Sequence, residues 1–255
     1  MKGRASAPLD LVFSGGATGR IVGEREGGRK ELLLSLPSNH DRDFYAFLEE
    51  WGEVPLPPYI VRKRGAAERV APSDQKRYQT VYAEKWGSVA APTAGLHFSE
   101  RLLDEIKAKG IPTATVTLHI GLDTFRPIRT EKLDEHVMHR EWFNLPPPTA
   151  EAIQETRKKG GRVVAVGTTV TRVLESVAKP DGRVEAGSGE TGLFITPGYR
   201  FNGIDALLTN FHLPKSTLLV LVSAFAGVEV VRALYEEAIR EKYRFYSYGD
   251  AMLIL

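Results

Sequence analysis

Cysteine is missing from all 255 residues, which excludes disulfides, thiolate metal sites and cysteine nucleophiles and fits a reducing compartment. Long apolar runs are missing too: the longest, Thr217 to Val228, is too short to span a bilayer as a helix. The opening Met1-Lys2-Gly3-Arg4 is basic, but no apolar stretch follows before Pro8, so no signal peptide is read. Neither sign of charge dominates, since 34 Lys+Arg against 32 Asp+Glu leave a net +2. That balance permits nucleic acid as a partner without demanding it. Phosphate-loop and dinucleotide fingerprints are absent, so nucleoside triphosphates and NAD are not indicated, and there is no H-E-x-x-H metal pattern. With 42% hydrophobic and 26% charged residues, the composition is that of a globular chain rather than a disordered one. The expectation is a cytoplasmic protein, not bound to a membrane.

What is present divides in two. Residues 1–53 carry Gly15-Gly16, Gly19, Gly23 and Gly27-Gly28 between the short apolar runs Leu9–Phe13, Ile21-Val22 and Leu32–Leu36. Short strands punctuated by glycine turns predict a small β-rich domain. Asp41–Trp51 follows as a helix with Phe44, Phe47, Leu48 and Trp51 on one face, and the prolines at 55, 57 and 58 stop it. Residues 54–255 form the second domain, where strands and helices alternate after an exposed loop at Arg62–Arg77. The predicted strands are Thr113–Ile120, Arg162–Val166, Gly192–Thr196, Ile204–Asn210 and Met252–Leu255. Helices are predicted from Ser99, near Thr149–Lys159, after Gly167-Thr168-Thr169, and over Ser216–Ala226 and Glu229–Glu241. Such alternation implies a mixed, barrel-like α/β core with some parallel pairing.

Four clusters place reactive side chains at element ends, where scaffolds carry their sites. In Ala90–Phe98, small residues with Pro92 and Gly95 let backbone approach a ligand, and Thr93 and His97 could face it; a tight structural turn with a bystander histidine is the alternative. In Val116–Pro127, His119 closes a strand on its polar face, and histidine is the side chain whose unperturbed pKa of roughly 6.5 suits a general base or acid. Arg126 there could bind a carboxylate or phosphate, and a histidine held inside the core by Thr117 is the bland reading. In Asp134–Glu141, His136 and His139 could share a helical face with Glu141 nearby, as a metal site or as a His–Glu pair that moves a proton. In Leu207–Thr217, a buried strand delivers Asn210 and His212, and Lys215 and Ser216 precede an apolar helix: a cradle for an anion or carboxylate. Helix capping alone would explain Ser216 and Thr168, but not Asn210, His212 and Lys215 beside them. Basic clusters at Arg62–Arg64, Arg157–Arg162 and Arg240–Arg244, with Tyr78, Tyr82, Trp86, Tyr243, Phe245, Tyr246 and Tyr248, read either as solvated surface or as contacts to an RNA loop.

As strings, these segments resemble one family, the S-adenosylmethionine:tRNA ribosyltransferase-isomerases of queuosine biosynthesis. The resemblance runs in family order through Val54–Ile60, Arg77–Ala83, Gly87–Phe98, Val116–Pro127, Glu135–Glu141, Val164–Thr169, Leu193–Tyr199, Ala206–Gly227 and Tyr243–Met252. Asp123 stands where the family usually has a small residue, and Val170 where serine is usual. The chain also begins inside what resembles the family's small β-domain, as a short form or a fragment would. The resemblance implies transfer of the ribosyl part of S-adenosylmethionine, as donor substrate and with no metal, to an aminomethyl-deazaguanine at the tRNA wobble position. The ribose rearranges to an epoxycyclopentane, and adenine and methionine leave. Such chemistry needs a base for the acidic proton beside the sulfonium and an acid for the departing adenine. On this reading His119 and His139 transfer protons and Glu141 orients His139. Thr93, His97, Thr124, Phe125 and Arg126 line the donor pocket, while Asn210, His212, Lys215 and Ser216 hold its polar ends or the target nucleotide. The partner is a tRNA anticodon loop and the working unit a monomer. Two other readings are a tRNA-binding chain without activity and a metal-dependent hydrolase built on His136, His139 and Glu141.

Overall fold

The glycine-rich start of the chain forms a meander, because glycine alone turns tightly enough between such short strands. In the computed structural model, which describes residues 9–25, 29–37, 44–60, 72–121, 128 and 130–255, strands β1 (Leu9–Val12), β2 (Thr18–Arg25) and β3 (Arg29–Ser35) pair antiparallel in that order. The β1–β2 link holds Gly15 at φ 73° and Gly16 at φ 80°, conformations that a side chain resists. A Cβ on Gly15 would also lie 2.5 Å from the Trp51 indole. Helix α1 (Phe44–Trp51) buries Phe47; the expected start of this helix at residues 41–43 lies outside the described residues. Met1–Val54 make one compact unit and Pro55–Leu255 the other.

The second unit contains α2 (Pro72–Arg77), a 3-10 turn at Thr93–His97, α3 (Glu100–Ala108), β4 (Thr117–His119), β5 (Glu141–Leu145), α4 (Pro147–Lys158), β6 (Val164–Val166), α5 (Thr168–Val177), β7 (Gly187–Thr191), β8 (Ala206–Asn210), α6 (Thr217–Ala226), α7 (Val228–Arg240) and β9 (Ala251–Ile254). It is a mixed α/β fold. Strands β4, β5 and β7 form one antiparallel sheet. In the other, β6 runs parallel to β8, and β9 runs antiparallel to β8. Among the described residues the ladders make separate three-stranded sheets, and no ladder closes them into a barrel. The core gathers Leu145, Ala165, Leu174, Val184, Ile195, Leu207, Leu221 and Val222. Helices α6 and α7 meet at 112° across Gly227, whose φ of 94° makes the corner. No single helix among the described residues is long and apolar enough to cross a membrane.

Three expectations need correction. The alternating run Thr113–Ile120 enters a ladder only at Thr117–His119; residues 111–115 lie exposed, with no strand pairing them among the described residues. Gly192–Thr196 is not a strand; the ladder takes the preceding Gly187–Thr191 instead, whose Gly-Ser-Gly-Glu-Thr sequence has little intrinsic β preference. The segment Arg62–Arg77, read as exposed loop, ends in α2 with Asp74 buried; its part at residues 62–71 lies outside the described residues.

A buried carboxylate joins α5 to the loop before β8. Glu175, 5% exposed, accepts from the backbone N–H groups of Asn202 (3.0 Å), Gly203 (2.8 Å) and Ile204 (3.1 Å) and from the Tyr199 hydroxyl (3.3 Å). The hydroxyl of Tyr199 is correspondingly pushed up to about 12, by desolvation first and then by the Glu175 charge. Glu175→Ala strands three N–H donors, each unpaired buried group costing roughly 1–3 kcal/mol. The expected loss is therefore about 3 kcal/mol or more of unfolding free energy, read from denaturant titrations of the two proteins.

Candidate active site

The parallel pair β6–β8 sets two strand-to-helix turns side by side at its C-terminal end, the usual place for a site in an α/β sheet. After β6, the Gly167 N–H donates to the Leu208 carbonyl at 2.8 Å, and its φ of 97° starts α5 at Thr168. A Cβ on Gly167 would lie 3.6 Å from Ala94 Cβ, so the Thr93–His97 turn packs over this point. β8 ends on Asn210, 2% exposed. Its Nδ2 donates to the Tyr246 carbonyl (3.3 Å) and lies 3.0 Å from His97 Nε2. The His97 ring is held below the ordinary histidine value, chiefly by desolvation, with Asp250 opposing and Arg244 assisting.

The loop Arg244–Asp250 builds the wall of this site. Arg244 and Asp250 close it, with the guanidinium donating to the carboxylate at 2.9 Å and the Arg244 N–H to its other oxygen at 2.7 Å. A Cβ at Gly249 would sit 2.4 Å from the Arg244 carbonyl oxygen, so only glycine fits the tight closure. Tyr246 sits at φ 72°, a strained value for a non-glycine residue. Its N–H donates to the Phe211 carbonyl at 3.0 Å, and its ring packs on Tyr59 at 5.0 Å. Ser247 meets the Tyr59 hydroxyl at 2.5 Å, and the Tyr248 hydroxyl donates to buried Asp74 at 3.0 Å. Most of the aromatic residues read as base-stacking candidates are thus packed on one another: Phe245 on Phe211 and Tyr235, and Tyr78 on Tyr248. Trp86 and Tyr243 remain exposed. The basic runs are largely engaged as well. Arg157 donates to the Asn202 carbonyl, Lys158 pairs with Glu155, and Arg240 pairs with Glu237 and Glu241; Arg62–Arg64 lie outside the described residues.

His119 ends β4 opposite Trp142 of β5, and the two rings stack at 4.9 Å and 25°. A Cβ at Gly87 would come within 2.5 Å of the imidazole, so the ring lies close to a bare backbone as well as to Trp142. The strap beyond Gly87 is tied to the same strand end: Val89 N–H donates to the Ile120 carbonyl (3.1 Å) and Ile120 N–H to Ser88 Oγ (3.2 Å). His119 and His97 therefore lie at the two ends of one strap.

His136 and His139 are not on a helix. Leu133–Glu135 make a 3-10 turn, and residues 136–140 then lead into β5 without regular structure, which removes the i, i+3 face on which a shared metal depended. His136 packs edge-on against Phe194 at 5.2 Å. Among the described residues no three His, Asp or Glu side chains converge to hold a metal ion. Glu141 forms a buried ion pair with Arg172 at 2.6 Å, both side chains 8% exposed. Pairing the guanidinium leaves the carboxylate committed to the β5–α5 contact.

Elsewhere Thr93 opens the 3-10 turn. Lys215 is exposed at φ 59°, and its carbonyl accepts from Ile128 N–H at 2.9 Å. The Ser216 hydroxyl is spent as the cap of α6, accepting from Leu219 N–H and donating to the Leu213 carbonyl. His212 turns to Thr209 Oγ1 at 2.8 Å, and its N–H donates to Tyr235 Oη at 2.7 Å. Thr124, Phe125 and Arg126 lie outside the described residues. Sequence reasoning missed Trp142, Arg172 and Gly87. Trp142 had a signal in the alternating Glu141–Leu145 run, which pairs with the strand of His119; Arg172, inside an amphipathic helix, had none.

The queuosine biosynthesis protein family matches residues 3–254. An S-adenosylmethionine:tRNA ribosyltransferase-isomerase of Cupriavidus pinatubonensis is 58% identical over 81% of this chain and 58% of its own length. Its counterpart in Moorella thermoacetica is 52% identical over 99% of this chain and 71% of its own. The chain thus spans between about three fifths and seven tenths of these relatives. A crystal structure of S-adenosylmethionine tRNA ribosyltransferase from Thermotoga maritima is similar at TM-score 0.53 and 33% identity, covering 96% of this chain and 65% of that one.

His212 sets a pH limit on stability. Burial pushes it down to about 4, below the ordinary 6.5. Above pH 6.5 it is neutral in both states and contributes no pH dependence. As pH falls from 6.5 to 4 the unfolded chain takes up a proton that the folded chain refuses, subtracting up to about 3 kcal/mol. Denaturant titrations across that window are expected to show the decline in the parent chain and a shallower one in His212→Gln.

Proposed function

Because this chain belongs to the queuosine biosynthesis protein family, we propose that it transfers and isomerises the ribosyl group of S-adenosylmethionine onto a tRNA wobble base. The observation that carries this reading is the family match across residues 3–254, supported by a site in which His97, Asn210 and the Arg244–Asp250 loop meet beyond the parallel strands. The substrates are S-adenosylmethionine and a tRNA anticodon loop whose wobble base carries an aminomethyl-deazaguanine. No metal takes part, and the chain works as a cytoplasmic monomer. The small β unit at residues 1–53 and the α/β unit at 54–255 are separate domains, with the chemistry in the second.

The sulfonium of the donor acidifies the protons on the carbon beside it. His119 is the candidate base: its ring orientation is fixed by Trp142 and Gly87, which removes much of the entropy of aligning a proton acceptor. His139 lies three residues before Trp142 in the chain, past the end of β4 in the β4–β5 register, and is the candidate acid for the departing adenine. Glu141 supports it indirectly, by anchoring β5 to α5 through Arg172. Thr93, His97, Thr124, Phe125 and Arg126 line the donor pocket. Asn210, His212, Lys215 and Ser216 hold its polar ends or the target nucleotide. An anticodon loop presents its base unpaired, so extruding it costs less than opening a duplex.

A single-turnover assay tests this. Purified chain, labelled S-adenosylmethionine and tRNA bearing the aminomethyl-deazaguanine are expected to yield free adenine and labelled tRNA together; tRNA binding without either product would favour the inactive binding chain. His119→Ala is expected to lower turnover by roughly 100-fold or more with an unchanged circular dichroism spectrum, and a near-normal rate removes it from the mechanism. Gly87→Ala, which drives a methyl into the same ring, is expected to lower kcat more than it raises the KM for S-adenosylmethionine.

A further inference from the structure

The amide of Asn210 is oriented by its neighbours in a way that dictates the chemistry of His97. The Tyr246 carbonyl can only accept, so the end of the amide facing it at 3.3 Å is the NH2 group. The second hydrogen of the same group meets His97 Nε2 at 3.0 Å. An NH2 group donates and does not accept, so Nε2 must be the bare nitrogen and the ring proton sits on Nδ1. Protonating the imidazole would set one N–H against another. The arrangement leaves Asn210 Oδ1 buried with no hydrogen-bond partner, a destabilising feature that folding alone does not explain.

The charged groups acting on His97 are Asp250, which favours the imidazolium, and Arg244, which disfavours it. They are paired with each other at 2.9 Å, so each screens the other's effect on the ring. Asn210 is the contact that discriminates between the two protonation states.

We propose that Asn210 is a positioning residue that keeps His97 neutral, with its proton on Nδ1, so that His97 meets a sulfonium-bearing nucleoside as an uncharged hydrogen-bond donor. The proposal rests on the ribosyl-transfer reading for its substrate: an imidazolium at this position would repel a cationic donor, whereas the neutral ring does not.

Full-length chain labelled with 15N-histidine tests it by NMR. In the parent chain His97 is expected to show the Nδ1–H tautomer at neutral pH and to protonate only below 6.5. In N210D, a carboxylate accepts from Nε2, so the proton is expected to move there and the titration midpoint to rise by about one to three pH units. Adenine release by N210D is then expected to fall about tenfold for each unit by which the midpoint exceeds the working pH, to show a raised KM for S-adenosylmethionine, and to recover in alkaline buffer. An Nε2–H ring in the parent chain overturns the proposal, as does an N210D chain with unchanged His97 titration or an unchanged pH profile of adenine release. The parent spectrum decides by itself should N210D not fold. The expected spectra together with a parent chain that releases no adenine support the positioning role and overturn the ribosyl-transfer reading instead.

Discussion

Everything at the candidate site hangs on the parallel pairing of β6 with β8. Parallel strands end at the same edge of a sheet, so two turns far apart in sequence, at Gly167 and at Asn210, become neighbours. The bond from Gly167 N–H to the Leu208 carbonyl continues the ladder one step past β6 and so fixes where α5 begins. The antiparallel β9 then returns along β8 and carries the Arg244–Asp250 loop back to Asn210. With β8 fully built into the core, its last residue has no freedom to drift, and Asn210 becomes a rigid arm on which His97 is aimed.

Histidine takes three different characters in this fold, each decided by surroundings. His212 is enclosed among Thr209 and the aromatic group around Phe211 and Tyr235, and its neutral form is the one that folding tolerates. His97 is an exposed residue whose inner edge is read by a buried amide. His119 is held by stacking rather than by a charge, against an indole and close to a glycine backbone. The buried carboxylates divide similarly. Glu175 is saturated by donors and ties a loop to a helix, while Glu141 neutralises Arg172 across the β5–α5 contact. Removing one partner of such a pair strands the other charge away from water, which makes these residues architectural.

Asn210 is a buried amide with one end satisfied twice and the other not at all. Together with the left-handed conformation of Tyr246, it puts two such departures from ideal geometry beside His97. Strain that persists in a well-packed environment marks a place where geometry serves something besides stability.

The glycine meander, the helical spacing of α5, the existence of α7 and the helix start at Ser216 were legible in the sequence, because each depends on residues close together along the chain. The family strings were legible for a different reason: long ordered matches carry identity without any knowledge of contacts. Tertiary structure alone decided which strands pair, and with that the fate of individual side chains. It turned Glu141 toward Arg172, put His136 and His139 outside any helix, and passed the ladder from Gly192–Thr196 to the glycine-rich run before it. It also set Trp142 against His119, and Tyr246 behind Asn210. These contacts join residues separated by tens of positions or more, and the energy that selects them comes from burial and hydrogen bonding across elements, which no local pattern encodes.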